Sequence, residues 1–259
     1  MPELPDLQAF SRTLSKKLLG KKVDKLHAIQ TKKLKTPEKE LRNAIEGASL
    51  KAVLREGKEL HLVFDNGNVL GLHMMLKGKL HFFVRKNEEK YAIIELIFQD
   101  GTGLAMSDFQ RQAQATLNPV ARAAPDALSE EVNYKFLKTI LNKSRATVKK
   151  VLMDQDIIRG IGNAYADEIL WHARISPFSI SNRIPDEAVK KLAKSLKSVL
   201  RKAETSILKS HPDIIHGEIR DFLAVHTRER DQSPTGAKIF VDESGSRKTY
   251  YTKEQVLYA

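Results

Sequence analysis

The apolar pattern changes character near Leu117, and this change constrains the fold more than any other feature of the sequence. Before it, apolar residues recur at every second position, as in Leu60, Leu62 and Phe64, which is the period of a half-buried strand. The dipeptide Asn66-Gly67 follows, and Asn-Gly favours a tight hairpin turn because it tolerates positive φ. The sequence therefore predicts antiparallel sheets, most simply a β-sandwich, before Leu117.

After Leu117, helical periodicity dominates, and the overall fold class is α+β. We expect three domains: a β-sandwich at 1–117 with one flanking helix, a helical domain at 125–226, and a hairpin at 227–259. The predicted helices are Asp6–Leu19, Glu130–Leu141, Thr147–Asp154, Ala164–His172, Asp186–Leu208 and Ile214–His226. The predicted strands after the Asn66-Gly67 turn are Val69–Leu76, Leu80–Val84, Tyr91–Phe98, Leu104–Met106, Ala237–Val241 and Thr249–Thr252.

Charge and cysteine content narrow the function. Lysine and arginine number 44 against 32 aspartates and glutamates, so the formal net charge is +12. A chain this basic favours a polyanionic partner, although a lysine-rich surface is the alternative. Cysteine is absent, which excludes disulfides, thiolate catalysis and cysteine-ligated zinc. The acidic, proline-containing N-terminus is unlike a secretory signal, and we expect a cytoplasmic protein, nucleoid-associated if bacterial.

The strongest local motif runs over residues 154–168, where one helix enters a loop with Gly160 and Gly162 and another leaves from Asn163. Glycines let the backbone approach another surface closely, and a helix N-terminus suits a phosphate. Lys149 and Lys150 lie on the preceding helix. By itself the Gly-x-Gly element is typical of a tight interhelical turn, but with these lysines it indicates a helix–two-turn–helix that grips a DNA backbone.

This motif resembles the signature of the formamidopyrimidine-DNA glycosylase/endonuclease VIII (Fpg/Nei) family of base-excision repair enzymes. The start Pro2-Glu3-Leu4-Pro5 resembles the family's catalytic N-terminus, and Arg55-Glu56-Gly57-Lys58 is similar to its catalytic lysine turn. Arg247, in a Ser-Arg-Lys-Thr-Tyr-Tyr run, resembles the arginine at the tip of its C-terminal finger. The match extends from residue 2 to about 252 in the family's order.

The resemblance implies a bifunctional enzyme that removes oxidised bases and cleaves the strand by beta/delta elimination. Removal of Met1 leaves Pro2 as a secondary amine that can attack the sugar C1′ and form an iminium ion. Glu3 is the expected proton shuttle, and Lys58 is expected to contact a phosphate beside the lesion. Arg247 completes the catalytic set. From the residues alone, Pro2 could instead stiffen the N-terminal arm, and Glu3 and Lys58 could be surface charges.

The same resemblance implies a set of DNA contacts. Leu76, in the loop after His73, stands at the position of the wedge that holds the base step open, although a core residue is the alternative. Glu168 is expected to support the Pro2 region, unless it is an ordinary helix charge. Lys248 is a one-residue alternative to Arg247. The expected DNA-binding residues are Lys149, Gly162, Asn163, Leu76 and Lys248.

Two departures from the family are visible. Fpg members usually carry Arg and Phe in a second loop, and neither falls at the expected place in Asp108–Gln112, which makes the chain more Nei-like. The four zinc-ligating cysteines are replaced: Ser233 and Thr235 fall near the first pair, and Thr252 and Gln255 near the second. We therefore expect a zincless finger without metal or cofactor, packed through Ile239, Val241, Tyr250 and Tyr251.

The leading hypothesis is a monomeric DNA glycosylase and AP lyase acting on double-stranded DNA with damaged bases or abasic sites, without membrane association. A non-catalytic paralogue that binds damaged or abasic DNA is the alternative from another class. A basic RNA-binding protein is a third possibility, which leaves the Pro2-Glu3 start unexplained.

Overall fold

Two four-stranded antiparallel sheets occupy the N-terminal part of the chain, in agreement with its apolar alternation. The computed structural model describes residues 1–29, 34 and 36–259. The strands are β1 (Val23–Ala28), β2 (Leu50–Glu56), β3 (Glu59–Phe64), β4 (Val69–His73), β5 (Lys79–Val84), β6 (Ala92–Phe98), β7 (Thr102–Ser107) and β8 (Gln114–Leu117). One sheet has the order β1-β6-β7-β5 and the other β2-β3-β4-β8.

The inward faces of both sheets share one hydrophobic core. On β3 the alternating residues Leu60, Leu62 and Phe64 are at most 1% exposed, and they join buried residues of both sheets in a single cluster. Helix α1 (Leu4–Leu18) contributes Phe10 and Leu14 to the same cluster. Each Å² of apolar area removed from water contributes about 25 cal/mol to the free energy of folding. The burial of these side chains therefore stabilises the packing of the two sheets against each other. A second helix, α2 (Glu38–Ile45), buries Leu41 and Ile45.

Two glycine turns set the register of β2, β3 and β4. Gly57 (φ 61°) and Lys58 form the two-residue loop between paired Glu56 and Glu59. Gly67 (φ 86°) forms the turn before β4, where Asn66 and Asn68 side chains both donate to the Ala44 carbonyl oxygen. Positive φ at both sites favours glycine, because an L side chain would be strained there.

The remaining helices and strands are α3 (Tyr134–Asn142), α4 (Val148–Met153), α5 (Asn163–Ala173), α6 (Asp186–Ser210), β9 (Ile239–Asp242) and β10 (Thr249–Thr252). The chain divides into two compact units: the first is Met1–Ala121 with Ile207–Glu218, and the second is Arg122–Ser206 with Ile219–Ala259. Thus residues 207–218 belong with the β-rich unit, and the finger hairpin belongs with the helices. The predicted three-domain division stays a prediction.

The predicted helix Ile214–His226 is wrong. This segment has turns and bends, and Gly217 has φ 88°. Its apolar residues serve different cores, since Ile215 packs in the core of the first unit and Val225 in a cluster of the second. The backbone N–H groups of Ala224, Val225 and His226 donate to the Glu168 carboxylate instead of to helical carbonyls. Side-chain capture of these donors therefore outweighs the helical periodicity.

The finger hairpin of β9 and β10 is held by hydrogen bonds at Thr235, Thr252 and Gln255, three of the positions where the resemblance implies that metal ligands are replaced. Gln255 is 8% exposed; its Oε1 accepts from the Thr252 N–H at 2.8 Å and its Nε2 donates to the Ile175 carbonyl at 2.8 Å. Glu254 accepts from the Thr235 hydroxyl at 2.8 Å and pairs with Arg174 at 2.8 Å. The Thr235 hydroxyl, together with Arg174, lowers the pKa of Glu254.

One face of the hairpin packs against the second unit as expected, with one exception. Ile239 and Tyr250 are buried in a cluster with Val225, and Trp171 packs against it. Val241, which we expected to pack, is 45% exposed, whereas Tyr250, its partner on β10, is buried. Of this cross-strand pair, the larger Tyr250 side chain joins the cluster and packs against the His226 ring. On the other face Tyr251 contacts the ring of Phe178 edge-on and stacks with Phe240.

We predict that Gln255→Ala lowers the free energy of unfolding of the second unit by about 2 kcal/mol, because the N–H of Thr252 and the carbonyl of Ile175 lose their partner. Trp171 is the only tryptophan, so its fluorescence during urea unfolding reports the change. Leu257→Ala removes a side chain that is 58% exposed and is the matched control. Equal stabilities of the two variants would contradict the assigned role of Gln255.

Candidate active site

The N-terminus of α1 carries two buried acids. Glu3 is the N-cap residue and is 5% exposed, and Asp6 is completely buried. They form a capping box in which the Glu3 N–H donates to Asp6 Oδ2 at 2.9 Å. Pro2, immediately before the cap, is also buried. The capping spacing of Glu3 and Asp6 was visible in the sequence, but only Glu3 was singled out.

Lys58 lies at the tip of the β2–β3 hairpin, and Arg55 ties this tip to α1. The Arg55 guanidinium donates to the Gly57 carbonyl at 3.1 Å and to Gln8 Oε1 at 2.8 Å. Ser11 on the same helix donates to the Val53 carbonyl at 2.8 Å. The hairpin that carries Lys58 is therefore fixed on the helix that begins at Glu3, so the structure places both predicted catalytic residues on one rigid pair of elements.

Leu76 lies in a tight turn and is 56% exposed, so it is not a core residue. The Gly78 N–H donates to the Met74 carbonyl at 2.8 Å, and Met75 has φ 49°. A Cβ on Gly78 would lie 3.0 Å from the Ala113 side chain, which shows that this turn lies against the loop after β7.

The loop after β7 presents an aromatic side chain that we did not predict. Phe109 is 60% exposed, whereas Asp108 beside it is 2% exposed. The Asp108 carboxylate accepts the N–H groups of Gln110, Gln112 and Ala113 at 2.8–2.9 Å. Arg111 has φ 55°. The loop is thus rigidly shaped by one buried carboxylate, and exposure of a phenylalanine is not readable from sequence.

The two-turn segment between α4 and α5 is organised by Gln155. Its Nε2 donates to the carbonyls of Met153 and Ile161, and its Oε1 accepts the Gly160 N–H at 2.9 Å. Gly160 has φ 104°, which favours glycine. Gly162, rather than Asn163, is the N-cap of α5.

Asn163 connects α5 to the finger. Its Nδ2 donates to the Lys248 carbonyl at 3.0 Å, while its buried Oδ1 has no hydrogen-bond partner among the described residues. The structure thus brings the predicted residues Asn163 and Lys248 together through the backbone of the finger strand.

We expected Lys149 to lie on the surface and bind DNA, but its side chain is internal. Its side chain is 10% exposed, and its Nζ forms an ion pair with Asp167 Oδ1 at 2.7 Å. The same Nζ donates to Thr249 Oγ1 at 2.9 Å. The cause is Asp167, a completely buried carboxylate that needs a cationic partner. Lys149 therefore joins α4, α5 and β10, and its charge is used inside the unit. Lys150, the next residue, is exposed.

Asp167 has two further partners and was not predicted. Its Oδ2 accepts from His226 Nδ1 at 2.7 Å and from the Tyr250 N–H at 3.0 Å. The His226 ring packs against Tyr250 with a centroid distance of 4.5 Å. One carboxylate of α5 therefore holds β10, α4 and the segment before the finger.

Glu168 supports a neighbouring backbone segment of the second unit, and its expected support of the Pro2 region stays a prediction. Its carboxylate accepts from the N–H groups of Ala224, Val225 and His226 at 2.7–2.8 Å. Burial raises the pKa of the Glu168 carboxyl, and the three N–H donors oppose this shift. The buried carboxylate thus replaces helical carbonyls as the hydrogen-bond acceptor for three consecutive residues. Glu168 is therefore not an ordinary exposed charge on a helix.

The fingertip distinguishes Arg247 from Lys248. Lys248 directs its carbonyl towards Asn163 and Lys149, and its ammonium forms an ion pair with Glu243. Arg247 is exposed, and no described carboxylate pairs with it. Arg247 is thus the more available cation of the two.

Two clefts of the second unit adjoin the fingertip. One of about 410 Å³ is lined by cationic, polar and apolar residues that include Lys150, Asn163, Phe178 and Arg247. The other, of about 310 Å³, is lined by Asn163, His226, Thr227, Arg228, Arg247, Lys248 and Tyr250. Among the described residues no group of three or more His, Cys, Asp or Glu side chains could hold a metal ion. No helix within residues 1–29, 34 and 36–259 is long and apolar enough to cross a membrane.

Two family models match the sequence. Residues 1–115 match the formamidopyrimidine-DNA glycosylase N-terminal domain, and residues 123–211 match the formamidopyrimidine-DNA glycosylase H2TH domain. A formamidopyrimidine-DNA glycosylase of Carboxydothermus hydrogenoformans is 32% identical over 77% of this chain and 76% of that protein. Another from Lactobacillus acidophilus is 26% identical over the full length of both chains.

Solved structures share the fold. The Lactococcus lactis Fpg in complex with DNA containing an abasic site superposes with a TM-score of 0.86, at 23% identity, over 97% of this chain and 98% of that one. The Lactococcus lactis Fpg in complex with DNA containing an oxidised pyrimidine also gives a TM-score of 0.86, with the same identity and coverage. The mixed α+β architecture with a helical region and a C-terminal hairpin is therefore that of known Fpg structures.

We predict that Glu168→Ala lowers the free energy of unfolding of the second unit by about 3 kcal/mol, because one buried and two partly buried N–H groups lose their acceptor. Glu168→Gln keeps one oxygen and should cost about 1 kcal/mol. Urea unfolding monitored by Trp171 fluorescence measures both. Glu187→Ala, at an acid that is 79% exposed, is the control and should show no change. A loss for Glu168→Ala no larger than the control's would refute the role of Glu168.

Proposed function

Since this chain belongs to the formamidopyrimidine-DNA glycosylase/endonuclease VIII (Fpg/Nei) family of DNA glycosylases, we propose that it is a base-excision repair glycosylase and AP lyase. Its substrate is double-stranded DNA with oxidised bases or abasic sites, as in the DNA complexes of its Lactococcus lactis structural neighbours. The observation that carries the proposal is the buried Pro2-Glu3 pair at the start of α1, on the helix to which the Lys58 hairpin is tied.

The chemistry begins with removal of Met1. While Met1 is attached, the Pro2 nitrogen is an amide and is not nucleophilic. Once released, the secondary amine attacks C1′, the glycosidic bond breaks, and the base leaves with a proton supplied by Glu3. The attacking nitrogen then gives up its own proton, and its lone pair opens the sugar ring by breaking the C1′–O4′ bond, so that O4′ leaves as a hydroxyl group. The resulting iminium acidifies the C2′ proton. Loss of that proton breaks the C3′–O bond, and a second elimination breaks the C5′–O bond.

The other residues bind and distort DNA in this proposal. Lys58 stabilises the phosphate beside the lesion electrostatically. Asn163 and Arg247 contact the backbone from the second unit, and the exposed, unpaired state of Arg247 favours it over Lys248. Leu76 is the wedge that fills the stack after the nucleotide leaves it, for which its exposed position is required.

Borohydride trapping tests the nucleophile. We predict that protein lacking Met1 forms a covalent adduct with an abasic-site duplex, whereas protein retaining Met1 forms none; mass spectrometry identifies both species. Pro5→Ala is the control, since Pro5 lies within α1 and should leave trapping unchanged. Glu3→Gln should trap on a preformed abasic site but excise bases more slowly. If protein lacking Met1 formed no adduct, the lyase activity would be refuted, and the alternative of a non-catalytic protein that binds damaged or abasic DNA would be favoured.

Leu76→Ala tests the wedge. We predict roughly a tenfold loss of base excision from duplex DNA, because holding a base step open costs a few kcal/mol. Cleavage of a single-stranded abasic site should be nearly unchanged, since no stack has to be opened. Leu54→Ala alters another exposed leucine of the same unit (49% exposed) and should affect neither reaction. Equal losses of Leu76→Ala on both substrates would indicate a folding defect instead.

A further inference from the structure

We propose that Glu218 accepts the protons that the Pro2 nitrogen must lose during catalysis, as a carboxylate that a distant part of the chain brings to the N-terminus. This inference rests on the proposed function, and it adds a residue that neither the motifs nor the catalytic set contain. The observation that carries it is the ion pair between the terminal amino group of Met1 and Glu218 Oε1, which joins residues 217 positions apart.

The proposed chemistry at Pro2 requires a proton acceptor. As an ammonium ion the released Pro2 nitrogen carries two hydrogens, and as an iminium ion it carries none. The first proton has to leave before the lone pair can attack C1′. The second leaves after the N–C1′ bond has formed, when the lone pair breaks the C1′–O4′ bond. Glu3 is assigned to donate a proton to the leaving base, so the acceptor has to be another group.

The segment that carries Glu218 is fixed on α1, the helix that begins directly after the N-terminal residues. The Thr13 hydroxyl donates to the Pro212 carbonyl oxygen at 3.3 Å. One turn further along the helix, Lys17 forms an ion pair with Asp213 at 2.9 Å. Both contacts lie within the first unit, so the segment before Glu218 follows the helix whose N-terminus carries the nucleophile.

The end of this segment is anchored as well. Ile215 is 6% exposed and belongs to the hydrophobic core of the first unit. Gly217 has φ 88°, a conformation that favours glycine and that turns the backbone immediately before Glu218. The carboxylate is therefore brought to the N-terminus by a backbone that a buried side chain and a tight turn hold in place.

Glu218 can follow the amine when Met1 is removed, because the new terminus is only one residue away and successive Cα atoms lie about 3.8 Å apart. A glutamate side chain has several rotatable bonds, and 36% of the Glu218 side chain is exposed. The same exposure lets the carboxylic acid, once formed, return each proton to water. O4′ takes up a proton from water as it leaves, and Glu218 is restored as a carboxylate.

The other charged groups at this end of the first unit are assigned to different tasks. Asp6 is completely buried, and its Oδ2 accepts the Glu3 N–H at 2.9 Å. Glu3 is 5% exposed, which suits a proton donor that is shielded from water. Lys58, on the hairpin tied to α1, is a cation and cannot accept a proton while it is charged. Glu218 combines a direct contact with the terminal nitrogen and access to solvent, as an acceptor requires.

Borohydride trapping on a preformed abasic-site duplex tests the proposal, because no base has to leave and only the chemistry at the nitrogen is measured. The rate of adduct formation is followed with protein lacking Met1, as mass spectrometry verifies for every variant. Near pH 7, we expect Glu218→Gln to react roughly 100-fold more slowly than the wild-type protein.

The difference should depend on pH in a defined direction. Near pH 9.5 an α-amine has mostly lost its first proton. Hydroxide then competes with Glu218 as the acceptor of the second proton, so the deficit of Glu218→Gln should fall to about tenfold or less. Glu218→Asp keeps a carboxylate on a side chain shorter by one methylene group and should recover most of the wild-type rate at both pH values.

The matched control is Asp213→Asn, which removes another acid of the same segment and breaks its ion pair with Lys17. It should trap at the wild-type rate at both pH values. The affinity of every variant for a duplex with tetrahydrofuran in place of the abasic sugar should equal that of the wild-type protein, because the proposed role of Glu218 is in the reaction and not in binding.

Three results would overturn the inference. Equal trapping rates of wild-type protein and Glu218→Gln near pH 7 would refute Glu218 as the acceptor and leave the proposed glycosylase and lyase intact. A deficit of the same size at both pH values, or the same deficit in Asp213→Asn, would show that the segment has a structural role only. Absence of any adduct from the wild-type protein at both pH values would refute the proposed lyase, and this inference with it.

Discussion

The second unit depends on two adjacent buried carboxylates, Asp167 and Glu168 on α5. Asp167 pairs with Lys149 and also accepts from His226 and the Tyr250 backbone. Glu168 accepts three consecutive N–H groups from residues 224–226. Removing one partner of a buried ion pair costs about 3–5 kcal/mol, so this arrangement tolerates little change. The carboxylates therefore fix the strand and the segment that carry the fingertip.

This clamp explains how a finger without cysteine stays ordered. An isolated two-stranded hairpin is marginally stable in water, and structural zinc usually supplies what such a hairpin lacks. Here Asp167 holds the β10 backbone at one end, and Gln255 holds the other end to the Ile175 carbonyl. Both contacts are hydrogen bonds that join the hairpin to residues of the second unit outside it. Arg247, in the loop between β9 and β10, is thereby left exposed at a defined place, where we propose that it contacts a phosphate.

Sequence reasoning correctly predicted the elements of the fold that depend on local patterns of residues. Alternation gave β3, the Asn-Gly turn gave the β3–β4 hairpin, and the glycine motif gave the α4–α5 connection, because each rests on short-range backbone preferences. Sequence reasoning failed where residues distant in the chain determine the structure. Asp167 accepts from the Tyr250 N–H across 83 positions of the chain, and the ion pair of Lys149 with the same buried carboxylate is why Lys149 is internal. The segment 214–226 has helical periodicity, but its donors are captured by Glu168. Strands β1, β2 and β8 were missed because their alternation is weak.

Amide hydrogen exchange, resolved by NMR, tests the central claim that α5 carboxylates hold the finger. If the account is right, the amides of Ala224, Val225, His226 and Tyr250 are protected in the wild-type protein to a degree similar to the core of the second unit. In Asp167→Asn the Tyr250 amide should exchange faster by about tenfold or more, and the Ala224 amide, which Glu168 binds, should change less. Unprotected amides at these four positions in the wild-type protein would contradict the account.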